Sequence, residues 1–225
     1  MGDVVRKPDL VSTTGVGAVR AAPDTAVLRL GVEVREAGLA HAYSGASAAA
    51  RRVVEGVLEQ GIPRHDISTS GLSVRSETVW RENSAQEVVA YVASTGLTVT
   101  VRELADTPKV LDAVVRSAGD ALRVHGVGLE VSDRASLEAA AQEAAFDDAR
   151  AAAERLARKA GRTLGEVLRI DAAAFTPPGA PVPLARAALA STVQPMPIEA
   201  GETDVNASVA VTWRLSPAPS KASRA

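Results

Sequence analysis

Residues 205–215 alternate without a break. Val205, Ala207, Val209, Val211, Trp213 and Leu215 fall on one side, and Asn206, Ser208, Ala210, Thr212 and Arg214 on the other. A period of two over that length predicts a strand with one buried face. The same pattern sets Leu28, Leu30, Val32 and Val34 against Arg29, Gly31, Glu33 and Arg35. It recurs where Leu97, Val99 and Val101 oppose Thr98, Thr100 and Arg102, and where His125, Val127, Leu129 and Val131 oppose Gly126, Gly128 and Glu130. Residues 10–20, 66–79 and 168–172 give further strand patterns, the first interrupted by Gly15 and Gly17. Pro23-Asp24 is a turn signal, so the first two strands read as a hairpin. The polar stretch Trp80–Glu87 reads as the tip of another.

Between the strands the period changes to that of a helix. Tyr43, Ala46, Ala50, Val53, Val54 and Val57 share a face in residues 38–60, with Gly61 placed to end the helix and Pro63 to forbid its continuation. Thr107-Pro108 opens a short helix to about Ser117, stopped at Gly119. The third helix, closed by Gly161, is almost entirely alanine and charge, and Ser132 or Asp133 can cap its start. Its apolar stripe is Ala141, Ala145, Ala149, Ala152, Ala153, Leu156 and Ala160, with Glu143, Asp147, Arg150, Glu154 and Arg158 opposite. So small a stripe lets another backbone approach closely. It fits a helix lying on its own sheet or beside residues 38–60, and it also fits contact with a second copy.

The order is therefore ββαββαβαββ. It predicts an α+β fold, a mostly antiparallel sheet with the long alanine-rich helix and a second helix packed on it, one sheet face open to water. Residues 1–9 read as a flexible leader, 10–215 as the domain and 216–225 as a disordered tail. Residues 176–203 are dense in proline and lack any period, which marks an excursion between two strands rather than a domain linker. Within it Val182, Leu184, Leu189, Val193, Met196 and Ile198 have no evident core to enter, so they are candidate interface residues.

Composition narrows the chemistry. The 225 residues are 46% hydrophobic but only 3% aromatic, so the core is built from small side chains. A net charge of −2 supplies no field to recruit nucleic acid. Cysteine is absent, which removes disulfides, thiolate catalysis and thiolate metal sites but suits either redox environment. No run is long enough to span a membrane, and the N-terminus lacks the apolar core of an export signal, which leads to the expectation of a cytoplasmic protein.

No catalytic constellation emerges. His41, His65 and His125 are far apart and show no ligand spacing, so no metal is expected. Gly15-Val16-Gly17 lacks the third glycine and following helix of a dinucleotide loop, so no cofactor is expected either. Asp147 and Asp148 are adjacent and so point apart on a helix. Ser68-Thr69-Ser70-Gly71 reads as a polar strand face, Arg51-Arg52 as a solvated one, and Tyr91 and Trp213 as core anchors.

Four blocks in order nevertheless resemble the SIMPL-domain family. They are VSTTGVGAVRAAPDTAVLRLGVEV, DISTSGLSV, YVASTGLTVTVREL and GVGLEVSDRASLEAAAQEAAFDDARAAAERLARKAGRTLGEVLRI, with VNASVAVTWRL closing the pattern. The resemblance covers roughly residues 10–215. It implies kinship with bacterial periplasmic or outer-membrane antigens of unknown function, some of them self-assembling into rings and some linked to oxidative stress. No catalytic residues are attached to the domain. The expectation is a non-enzymatic protein, a homo-oligomer or partner-binding module. The alternative is a small-ligand-binding protein or an enzyme with its site under residues 176–203. A deep pocket ringed by titratable groups favours the alternative, and a shallow surface with an apolar patch the first reading.

Overall fold

A computed structural model describes residues 9–80, 86–173 and 199–217. Its elements are β1 (Leu10–Ala21), β2 (Thr25–Glu36), α1 (Leu39–Glu59), β3 (Ile67–Val79), β4 (Glu87–Val101), α2 (Thr107–Ala118), β5 (Leu122–Glu130), α3 (Arg134–Lys159), β6 (Arg162–Ala173) and β7 (Thr203–Pro217). The chain is α+β, in the order the periodicity predicts. Its strands form two antiparallel sheets rather than one, ordered β1-β7-β6 and β3-β4-β2-β5. Each belongs to its own compact unit, the first holding α3 and the second α1 and α2.

The expected hairpin of β1 and β2 does not form. β1 pairs along its whole length with β7, from Leu10 opposite Arg214 to Ala21 opposite Thr203, while β2 lies between β4 and β5. The turn at Pro23-Asp24 closes elsewhere, because Pro23 has no N–H and Asp24 donates its own to the Glu130 carbonyl at 3.1 Å. Alternation identifies a strand's faces. It carries no information on which strand lies alongside.

In the second unit the core is built from branched side chains. Leu28, Leu30 and Val32 of β2 and Leu97, Val99 and Val101 of β4 are buried against Val53 and Val57 of α1 and Val110 and Val114 of α2. The helices cross at Gly56, where an added Cβ would lie 3.0 Å from the Ser117 hydroxyl oxygen. Arg52 reaches over the same crossing to donate to the Ser117 carbonyl near the end of α2, at 3.0 Å. Tyr43, expected on the inner face of α1, is exposed; Ala42, Ala46 and Ala49 are the buried residues of that half. The turn from Ala42 to Ala46 to Ala49 puts Tyr43 just off the stripe, and its size excludes it from a seam of alanines. The other face of this sheet carries charge, with Arg35 paired to Glu77 at 2.6 Å and Glu33 lying between Arg75 and Arg123.

In the first unit α3 packs on β1 and β7 around Trp213, the largest fully buried side chain. Phe146 lies against it with ring centroids 6.3 Å apart. Asp133 caps α3, its carboxylate accepting from the Ser136 N–H at 3.1 Å. Gly161 beyond the other end has φ 66°, a left-handed conformation that suits glycine. β7 runs to Pro217, and Asp9 joins the sheet by accepting the Leu215 N–H and pairing with Arg162. No helix among the described residues is long and apolar enough to cross a membrane.

Candidate functional site

The seat of α3 explains its composition. The buried residues are Ala141, Ala145, Ala149, Ala153 and Ala157, one row at a spacing of four. Such a row inclines to the helix axis, so a contact that follows it drifts off the stripe drawn for a straight wheel. Leu156 and Ala160 are accordingly exposed, and Ala157 is buried instead. Beneath the row lie Gly15 and Gly17 of β1. A Cβ on Gly15 would lie 2.1 Å from the Ala145 carbonyl oxygen and 2.3 Å from the Ala149 nitrogen, and one on Gly17 would lie 2.1 Å from the Ala141 oxygen. Strand and helix therefore touch backbone to backbone. Two polar contacts lock the seat: Thr13 Oγ1 donates to the Ala149 carbonyl at 2.7 Å, and the Val16 N–H donates to Asp148 Oδ2 at 3.2 Å. The second occupies a free amide of the edge strand β1, which guards that edge against further pairing.

A helix held so close to β1 leaves β6 less covered. Ala139, Gln142, Glu143, Phe146 and Asp147 of α3 face Ile170, Ala172 and Val209 across a shallow groove of about 520 Å³. Ile170 in its floor is 55% exposed. Asp147 lines the groove while Asp148 serves β1, so the two adjacent carboxylates do point apart as their spacing requires.

Further exposed apolar side chains lie on the β3–β4 hairpin, divided between its two faces. β2 pairs with β4 only as far as Tyr91, so Glu87–Ala90 have β3 alone beside them. Leu72, Val74, Val79, Trp80, Val88 and Val89 are exposed there, Trp80 by 76%.

Polar groups that might have made a reactive centre are engaged in holding the fold. Asp66 is buried, and Arg102 donates to both its oxygens, Nη2 to Oδ1 at 2.7 Å and Nε to Oδ2 at 2.8 Å. Those hydrogen bonds hold the Asp66 carboxyl below the usual range, against the upward push of burial. Asp24 accepts the Ser132 hydroxyl at 2.6 Å and the Ser132 N–H at 2.8 Å, which likewise lowers its carboxyl. Thus the Pro-Asp turn and the Val-Ser-Asp segment, 108 residues apart, form one joint. Both residues belong to the second unit, at the two ends of its stretch 22–132. Sequence reasoning missed it, because each half reads only as a local turn or cap.

His41, His65 and His125 are exposed, and no cluster of three metal-ligating residues occurs among the described residues. Gly15 and Gly17 serve helix packing. Ser68–Gly71 form an exposed stretch of β3. Tyr91 is partly buried against Ala42, Ala46 and Ala93. The candidate interface residues Val182, Leu184, Leu189, Val193, Met196 and Ile198 lie outside the described residues, as does most of the 176–203 segment.

The pattern of the SIMPL family, described as a protein of unknown function (DUF541), matches residues 11–213. This chain belongs to the SIMPL family. Among relatives, the 26 kDa periplasmic immunogenic protein of Brucella melitensis is 33% identical over 223 residues, which covers 93% of this chain and 86% of the relative. The protein of the same name from Brucella abortus matches equally, and the uncharacterized protein YggE of Edwardsiella ictaluri is 28% identical over 160 residues, 71% of this chain and 66% of its own length. The periplasmic names of the Brucella relatives overturn the expectation of a cytoplasmic protein. That expectation rested on one feature near Met1, whereas the cysteine-free composition suits an oxidising compartment equally.

Proposed function

We propose that this SIMPL protein is not an enzyme and acts through its surfaces, by self-assembly or by binding a protein partner, in the periplasm for which its Brucella relatives are named. The observation that carries the reading is the set of exposed apolar side chains at the end of the β3–β4 hairpin, Trp80 above all. A side chain as large as Trp80 is costly to leave in water, and exposed aromatic anchors within apolar patches are the usual centres of protein interfaces. The shallow groove beside β6 adds a second such surface. Against catalysis stands the use of Asp66, the buried carboxylate: each of its oxygens accepts from Arg102, which holds it charged as that residue's ion-pair partner.

The two tryptophans supply the test. Trp213 is 2% exposed and Trp80 76%, so iodide quenches one and spares the other in dilute solution. Raising the protein concentration, or adding periplasmic extract, is expected to shield Trp80 while Trp213 stays constant. Trp80 equally quenched under all these conditions defeats the reading. Recovery of the native protein from the cytosolic fraction alone defeats the location.

A further inference from the structure

We propose that the open face of the β3-β4-β2-β5 sheet, the side turned away from α1 and α2, binds a linear polyanion built of phosphate groups. Arg29, Arg35, Arg75 and Arg123 are the residues that hold it. This function goes beyond association with another protein and stands or falls separately from it.

The strand register gathers the four arginines from three strands. Arg75 of β3 and Arg35 of β2 both lie opposite Val92 of the intervening β4. Arg123 of β5 lies opposite Gly31 of β2, and Arg29 stands two residues before Gly31 on the same face. Leu28, Leu30 and Val32 of β2 enter the core, so by alternation these arginines point the other way. All four are exposed.

Their charge is not cancelled where they stand. Within this group of side chains only Glu33 and Glu77 oppose them. Glu77 takes Arg35 at 2.6 Å. Glu33 is shared, 3.6 Å from Arg75 Nη2 and 3.5 Å from Arg123 Nη2, both longer than a good hydrogen bond. Four arginines against two glutamates leave an excess of positive charge on a chain whose net charge is −2. A face of that sign recruits an anion that the molecule as a whole would repel.

Spacing and chemistry select the kind of anion. Guanidinium groups suit phosphate, which they bind through paired N–H donors. β3 and β5 are three strand spacings apart, about 14 Å. A single phosphate cannot reach across that distance, whereas a chain of phosphates can meet every arginine in turn. Ser70, Ser94 and Gly96 lie between the charged rows and are small, so such a chain can lie close to the sheet. No Phe, Tyr or Trp stands among these residues, so the bases of a single-stranded nucleic acid would find nothing to stack on.

Calorimetric titration of the full chain with inorganic polyphosphate tests the assignment. The native protein is expected to bind it, less tightly as salt is added. Arg29→Ser and Arg75→Ser are each expected to weaken binding about fivefold. Glu33→Gln removes the carboxylate that competes for Arg75 and Arg123, and is expected to tighten binding by a similar factor. A gain in affinity cannot come from a damaged fold. Arg150→Ala takes the same charge from α3 and is expected to leave binding unchanged. No binding by the native protein overturns the proposal. So does a loss in Arg150→Ala equal to that in Arg75→Ser, or a Glu33→Gln variant that binds no tighter. Orthophosphate binding as tightly as the polymer, or single-stranded DNA binding equally with the same response to the variants, overturns the class of ligand.

Discussion

In the sheet of β2, β3, β4 and β5 the helices stand off on Leu28, Leu30, Leu97, Val53 and Val110, whereas α3 rests on Gly15 and Gly17 with no side chain between. Both arrangements bury a helix on an antiparallel sheet. They divide the sheet's surface differently. Helices held away on branched side chains cover the middle of their sheet, β2 and β4, and leave the end of the long β3–β4 hairpin bare. A helix seated on the backbone of one edge strand covers that edge and leaves the opposite strand, β6, exposed. The apolar side chains left in water are thus consequences of how each core is packed.

The comparison can be broken first where side chains do the packing. Leu30→Ala removes a fully buried side chain from the second unit and is expected to destabilise by about 2–5 kcal/mol in chemical denaturation, a loss with no counterpart among the alanines of α3. Next comes the buried ion pair of the same unit. The Asp66 carboxyl is lowered in the folded state, so its contribution is full above the ordinary carboxylate value near 3.8 and is lost as pH falls through the folded value. Asp66→Asn is therefore expected to be less stable than the native protein by a constant margin near neutral pH. That margin should close as the pH is taken below about 4. A margin independent of pH down to acid unfolding removes the role assigned to Arg102. In the first unit Thr13→Val deletes the hydrogen bond to the Ala149 carbonyl and is expected to cost about 1 kcal/mol. Arg150→Ala, on the solvent side of α3, loses only an exposed pair with Glu154 and is expected to stay within about 0.5 kcal/mol of neutral by thermal melting.

Much of this was legible in the chain. Alternation located the strands, and the stops at Gly61, Gly119 and Gly161 bounded the helices, because those signals are local. The capping role of Asp133 was equally open to reading. Pairing was not, since β1 carries the same period whether it lies beside β2 or β7. The stripe of α3 was drawn with Leu156 inside because leucine is apolar, yet the contact follows the four-spaced row to Ala157, and Leu156 is 52% exposed. Two glycines on one face of a strand, matched by alanines four apart on a helix, were the signal that could have found the seat. The joint of Asp24 with Ser132 had no comparable signal, because neither residue is unusual in its own turn.

α3 meets β1 backbone to backbone, while the helices of the second unit meet their sheet through side chains. Adding one methyl group to the middle of a strand in each unit tests it directly. At Gly15 the new Cβ meets main-chain atoms of α3 at 2.1 and 2.3 Å, which cannot move without the helix. At Gly31 of β2 the nearest atom, at 2.6 Å, is Nε2 of His125, an exposed side chain free to swing away. Equilibrium unfolding of Gly15→Ala is expected to show a loss of about 3 kcal/mol, and Gly31→Ala a change within about 1 kcal/mol of zero. Equal effects from the two substitutions, or a tolerated Gly15→Ala, would contradict the account.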